Sequence, residues 1–372
     1  MQSQITKNIL NTIIYCDILN FPLTSFEVWK YLTVIDGHSM SNWTWTSNVQ
    51  ISLGEIIEAL ESKELKKHIE EFRGFYFLRG RKTLVEQRIQ NDKNSIAKYK
   101  IAERVAWWLR FVPFVRMVAV TGTLAMKNPE KNSDIDFLVV LEKGRIWTGR
   151  LLVTLAVHLL GKRRHGDKIK NRICLNYFIT TGSLEIKRQD LFAANEYSFI
   201  YPIFDSLVIP SGAERSREIY VNKALASHAI STQISPRVPI NRDLVEMTKN
   251  ECGMTKKSVF CQFGEANIEW MKKFKPNFKF SELKPSKYYM EHSRFSRFIQ
   301  KPREVLLNFI FGDRIESWLK RKQIARIKRN PLTYKKGGYV EYDDENLVFL
   351  PEPQGPGILE KFKASTSKKD FL

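Results

Sequence analysis

Asp134 and Asp136 follow the pair Gly122-Thr123 in the segment VTGTLAMKNPEKNSDIDFLVV, with ten residues between Thr123 and Asp134. An extended strand sends residues i and i+2 to one face, so the two carboxylates point together while Ile135 and Phe137 point into the core. Paired hard oxygen ligands suit Mg2+ or Mn2+, which one or two carboxylates hold and which completes its shell with water and phosphate oxygens. Upstream, Met117 to Val120 reads as a short buried strand. Gly122 lets the backbone approach a phosphate, and the helix that begins at Thr123 offers free N–H groups to an anion. Thr123 adds a hydroxyl donor.

This combination of a glycine–hydroxyl pair, a spacer of about ten residues and Asp-hydrophobic-Asp in an apolar strand resembles the signature of the nucleotidyltransferase superfamily of DNA polymerase beta type. More narrowly, the chain resembles bacterial nucleotidyltransferase-domain proteins with a winged-helix-like segment in front. The resemblance implies that Asp134 and Asp136 are catalytic and bind the metal, and that Gly122 and Thr123 cradle the phosphates of a nucleoside triphosphate. Thr123 stands where the family has serine and keeps the hydroxyl. The implied reaction moves a nucleoside monophosphate onto a hydroxyl and releases pyrophosphate. A third family carboxylate is expected on the later strand Arg172 to Ile179, which offers Asn176 and no acid. An amide can orient a hydroxyl or bind a metal weakly, but it takes no proton near neutral pH. Arg150, early in the next helix, is a candidate phosphate contact.

The acceptor stays open among a small molecule, a protein side chain and a nucleic-acid end. Two other readings stand beside transfer. One is a noncatalytic nucleotide-binding partner, antitoxin-like, that lacks the third acid; the other is a DNA-binding regulator led by the winged-helix-like segment. No Walker motif competes for the nucleotide, because Gly161-Lys162 lacks both the earlier glycine and the following Ser or Thr.

The elements that must position these residues imply an α+β fold with a mixed-sheet nucleotidyltransferase core. Residues 1–81 read as a winged-helix-like module, with Thr24 and Glu27 forming a cap, a third helix from Leu53 to Leu60 and a hairpin turning at Arg73-Gly74. Glu55, Glu58 and Glu61 make that third helix acidic for a recognition helix, so the module is expected to pack or to bind a protein partner. Residues 82–205 hold a long helix, Lys82 to Arg110, and the core. A helix from Ile146 to Leu160 and another from Gln189 to Tyr197 flank the strand that contains Asn176. Residues 206–258 have one aromatic, Tyr220, of the 45 in the chain, and lack steady periodicity. They resemble the translated product of a dispersed intergenic repeat, and are expected to form a disordered insertion without a catalytic role. Residues 259–372 read as mostly helical and end in a hairpin, Tyr339 to Leu350, with a fraying tail. Asp313 and Glu316 are expected to cap a helix there.

A net charge of +20 over 372 residues permits an anionic partner: nucleotide, nucleic acid or an acidic membrane surface. Two basic runs stand out, Lys162-Arg163-Arg164-His165 and the stretch from Lys320 to Arg329. The longest apolar stretch, Leu151 to Leu160, is too short to cross a bilayer, so no membrane insertion is expected and the cytoplasm is the default location. Cys16, Cys174, Cys252 and Cys261 form no C-x-x-C and no zinc-ligand pattern, which suits reduced thiols.

Overall fold

The computed structural model describes residues 2–34, 51–206, 258–280, 283, 288–291, 293–310 and 312–367. Helix α1 (Gln2–Ile18), strand β1 (Leu23–Thr24) and helices α2 (Ser25–Lys30) and α3 (Leu53–Leu60) lead into strands β2 (Ile69–Phe72) and β3 (Phe75–Leu78). Both short helices start with a capping box: Thr24 and Ser52 accept the N–H of Glu27 and Glu55, and each glutamate reaches back to the cap backbone. Four groups that helix formation would leave unpaired are satisfied this way. Arg73 and Gly74 take positive φ values of 55° and 78°, the pair of left-handed conformations a tight hairpin needs. The three strands form an antiparallel sheet in the order β1-β3-β2.

This N-terminal region is fastened to the rest of the chain. The buried Lys275 ammonium donates to the Tyr31 carbonyl at 2.9 Å and the Thr33 hydroxyl at 2.8 Å, and Asn277 donates to the Trp29 carbonyl at 2.9 Å. The Phe199 ring packs against both Phe21 and Tyr31. On α3, Glu55, Glu58 and Glu61 are exposed, so its open face is acidic.

Helix α4 (Thr83–Leu109) crosses to the central part, which runs β4 (Val115–Val120), α5 (Gly122–Ala125), β5 (Ile135–Leu141), α6 (Ile146–Leu159), β6 (Ile173–Thr180), α7 (Leu191–Ser198) and β7 (Tyr201–Asp205). Helix α8 (Val259–Lys272), β8 (Met290–Glu291), α9 (Arg294–Ile310), α10 (Gly312–Arg329), β9 (Tyr339–Tyr342), β10 (Asn346–Leu350) and α11 (Gln354–Ser367) follow. The larger sheet is mixed, in the order β8-β7-β4-β5-β6-β10-β9. Strands β5 and β6 are parallel, as are β7 and β8, and the remaining pairs are antiparallel. Every residue of the central strand β5 is buried except Asp136, which is half-buried. That single polar position in an apolar strand marks where the sheet opens onto a site.

Three features differ from what the sequence suggests. The hairpin of β9 and β10 is not a terminal appendage: β10 pairs with β6, Leu347 opposite Phe178, and completes the central sheet. Helix α11 follows it, and its Phe362 ring meets Tyr15 of α1 edge-on. Glu316 caps another helix instead of its own, accepting the Trp147 N–H at 2.7 Å and the Thr148 N–H at 3.0 Å at the start of α6.

Residues 207–257 and 368–372, where the insertion and the fraying tail are expected, lie outside the described residues. The flanks of the longer segment adjoin. The Val259 N–H donates to the Ser206 carbonyl at 3.2 Å, and the buried Asp205 carboxylate accepts from the Ser258 hydroxyl and, at 3.3 Å, from the Phe260 N–H. Ser206 and Ser258 therefore stand close together. No helix among the described residues is long and apolar enough to cross a membrane.

Candidate metal centre and its flanking cleft

Asp134 ends the loop before β5 and Asp136 is the second residue of that strand. Alternation brings their carboxylates together, and the parallel pairing of β5 with β6 sets Cys174 opposite Asp136. One ligand atom from each of Asp134, Asp136 and Cys174 lies within 4.8 Å of the others. The register shifts after Asp136, so Leu138 faces Tyr177 and β6 carries an extra residue in the stretch from Leu175 to Asn176. Such a bulge re-aims side chains at the end of a sheet. Cys174 is thus the β6 residue paired with Asp136, whereas the expected Asn176 lines a neighbouring cleft together with Leu175. A thiol in that place has no distinct signal in the sequence; only the register reveals it.

Gly122 adjoins the acids directly. Its φ is +65°, and a Cβ built there would stand 2.9 Å from Oδ2 of Asp136. Glycine is required twice over, for its left-handed backbone and for the carboxylate beside it. The backbone seals the same corner, because the Thr121 N–H donates to the Asp136 carbonyl at 3.1 Å. Thr123 follows, exposed, at the start of the short helix α5. Helix α4 holds that turn through Tyr99, whose hydroxyl donates to the Leu124 carbonyl at 3.0 Å.

Lys98, also on α4 and buried, fixes the loop that delivers Asp134. Its ammonium donates to the Ser133 carbonyl at 2.6 Å and to Oδ1 of Asn171 at 3.0 Å, tying the entrance of β5 to the entrance of β6. Burial lowers its pKa, while the charge of Asp134 works the other way. In the sequence it is one polar position of a long helix.

Arg164 supplies the nearest counter-charge. Its guanidinium donates to Asp134 and, at 3.6 Å, to the Cys174 sulfur. A divalent cation gripping Asp134 has to compete with that arginine. Asp136 is the more strained acid: burial, then the charge of Asp134, raise its pKa to about 7, against the opposing help of Cys174 and Arg164. A further acid is coupled to it. Glu196 on α7 is raised to about 7 by burial and next by the charge of Asp136, with Arg188 pulling the other way. Burial and both aspartates push the Cys174 thiol far up, so it stays protonated near neutral pH. The centre therefore offers two hard carboxylate ligands and a neutral sulfur, a set that favours Mg2+ or Mn2+ on the oxygens.

On the side of α6 a cleft of about 800 Å3 opens between α6, α10 and the bulged part of β6. Arg150 lines it: its guanidinium lies 4.5 Å from the Phe349 ring and donates to Gln323 at 2.6 Å. Cys174 and Arg164 line the cleft as well, and so belong both to it and to the acidic centre. The structure thus brings Asp134, Asp136 and Gly122 together, sets Thr123 beside them along the chain, and seats Asn176 and Arg150 in the adjoining cleft. Comparison of the chain with protein-family models, with curated proteins and with solved structures returned no match.

Proposed function

We propose that the chain is a metal-dependent nucleotidyltransferase that moves a nucleoside monophosphate from a nucleoside triphosphate to a hydroxyl, with Mg2+ or Mn2+ held by Asp134 and Asp136. The observation that supports this most is the convergence of those carboxylates beside the Gly122 bend, where a Cβ would meet Asp136 at 2.9 Å. When bound, the metal would neutralise phosphate charge and lower the barrier to attack by an oxygen nucleophile. The acceptor oxygen would form its bond to the α-phosphorus as the bond to the bridging oxygen breaks and pyrophosphate leaves. The acceptor's proton would pass to a base or to solvent water, since β6 offers no carboxylate to take it. Gly122 and Thr123 would lie against the triphosphate. Lys98 holds the loop in register, and Arg164 would swing from Asp134 to a phosphate as the cation arrives.

The experiment is incubation with each radiolabelled nucleoside triphosphate and Mg2+ or Mn2+, in lysate and with protein acceptors, comparing the wild type with Asp134→Ala/Asp136→Ala. Label incorporated by the wild type and lost in the variant supports transfer.

A second reading, a noncatalytic nucleotide-binding partner, draws on one observation: the β6 residue opposite Asp136 is Cys174, and no acid stands on that strand. Cys174→Asp and Asn176→Asp separate the two. Gain of transfer in either identifies a weakened enzyme, and nucleotide binding without transfer in all forms favours the partner.

A further inference from the structure

Two basic runs that are far apart in sequence meet in the structure. Arg163 and Arg164, from the loop after α6, and Arg326 and Arg329, from the last turns of α10, line the same cleft as Arg150. None of the residues lining it is an aspartate or glutamate. Among the described residues, Arg150, Arg163, Arg326 and Arg329 make no ion pair, although most arginines of the N-terminal module do. Nε of Arg150 is buried without a hydrogen-bond partner. Burial, followed by the positive charges of Arg163 and Arg326, lowers the Arg150 pKa to about 10, which states the same imbalance electrostatically. Grouped cations with an unused buried donor and no acid among the lining residues are a site for an anion.

The shape narrows the class of anion. The guanidinium groups come from three separate pieces of chain along the cleft, which suits a run of phosphates better than one. Leu155 and His158 also line the cleft and add apolar and planar surface, against which bases can lie. At its far end the cleft reaches Cys174 and Arg164, which touches Asp134.

We propose that this cleft binds a single strand of nucleic acid, its phosphates on Arg150, Arg163, Arg326 and Arg329 and its end directed past Arg164 toward Asp134. The strand is then the acceptor of the transfer reaction. That role rests on the reading given above; the binding does not.

The test is fluorescence anisotropy of a short labelled oligouridine and its deoxythymidine counterpart, in chelator, so that no metal chemistry enters. Arg326 and Arg329 are exposed, so their replacement should leave the fold intact. Arg326→Gln/Arg329→Gln should weaken binding at least tenfold and reduce the slope of log affinity against log salt by about two. Arg150→Gln should add a further loss, and Lys66→Gln/Lys67→Gln, on the N-terminal module, none. A preference for the RNA or the DNA strand identifies the natural source. Arginine variants that bind like the wild type would overturn the proposal. So would displacement of the strand by inorganic triphosphate or polyglutamate at equal charge concentration, which would assign the cleft to a free phosphate compound or an acidic protein segment. Strand binding lost in the arginine variants, with no label transferred by the wild type, retires the transfer reading and keeps the cleft. Label transferred to other acceptors, with strand binding unchanged in the variants, does the reverse.

Discussion

The two flanks of the β6 entrance carry charge of opposite sign. On one, Asp134 and Asp136 stand together with Arg164 on Asp134, the charge of Asp136 acts on Glu196, and Asp136 and Glu196 are raised to about 7. On the other, Arg150, Arg163, Arg326 and Arg329 share a cleft without an acid. Buried or grouped like charges work against folding unless something neutralises them. The proposed cation and strand would each neutralise one flank, with Arg164 between them.

That contrast can be broken in graded steps. Asp134→Ala/Asp136→Ala should lower transfer about a thousandfold or more while strand binding in the cleft is kept or strengthened, since two anions near it are gone; parallel label-transfer and anisotropy assays check both halves. Lys98→Met removes the ammonium that joins the two strand entrances and leaves the Ser133 carbonyl and the Asn171 amide without it. We expect a loss of about 2–4 kcal/mol in urea denaturation.

A pH series sharpens the acidic side. Asp136 and Glu196 bind protons more tightly in the folded chain than in the unfolded one, so their stabilising contribution is full at acid pH and is lost as the pH rises from about 4 to about 7. Asp136→Asn/Glu196→Gln has no such loss. Its stability relative to the wild type should therefore improve by about 2 kcal/mol or more between pH ~4 and pH ~8. A flat difference across that range would show that the two acids are not strained.

Arg164→Gln tests the joint between the flanks. Without the competing guanidinium, Mn2+ should bind several-fold more tightly, by about 1 kcal/mol, as read by calorimetry, while strand affinity falls by a similar factor. The smallest effect belongs far from both. Joining residue 206 to residue 258 through a short glycine-serine link should change stability by about 0.5 kcal/mol or less, because the ends already meet at Asp205 and loop length has a weak influence on closure. Loss of soluble yield would show instead that the segment takes part in the fold.

Much of the framework was legible from residue patterns. Leu53 to Leu60, the Thr24–Glu27 cap, the Arg73-Gly74 turn and the strand after Asp134 are local features, and local periodicity and capping chemistry announce them. The acid pair and Gly122 were legible for the same reason, since i and i+2 on one strand must share a face. What was not legible depends on pairing between distant segments. Cys174 came to Asp136 through strand register, and Asn176 was displaced by a bulge that no spacing reveals. Glu196, Lys98 and Arg164 reached the centre from three elements whose packing is tertiary. The convergence of Arg163 with Arg326 had no local trace beyond two basic runs, each of which reads equally well as a solvated face.

The pairing of β10 with β6 has a consequence for biosynthesis. Until Asn346 to Leu350 have been made, the outer edge of β6 presents unpaired backbone groups to whatever chain is near. The sheet bearing the aspartates is thus completed only after the final hairpin has been made, and chains truncated before it should be prone to edge-to-edge self-association.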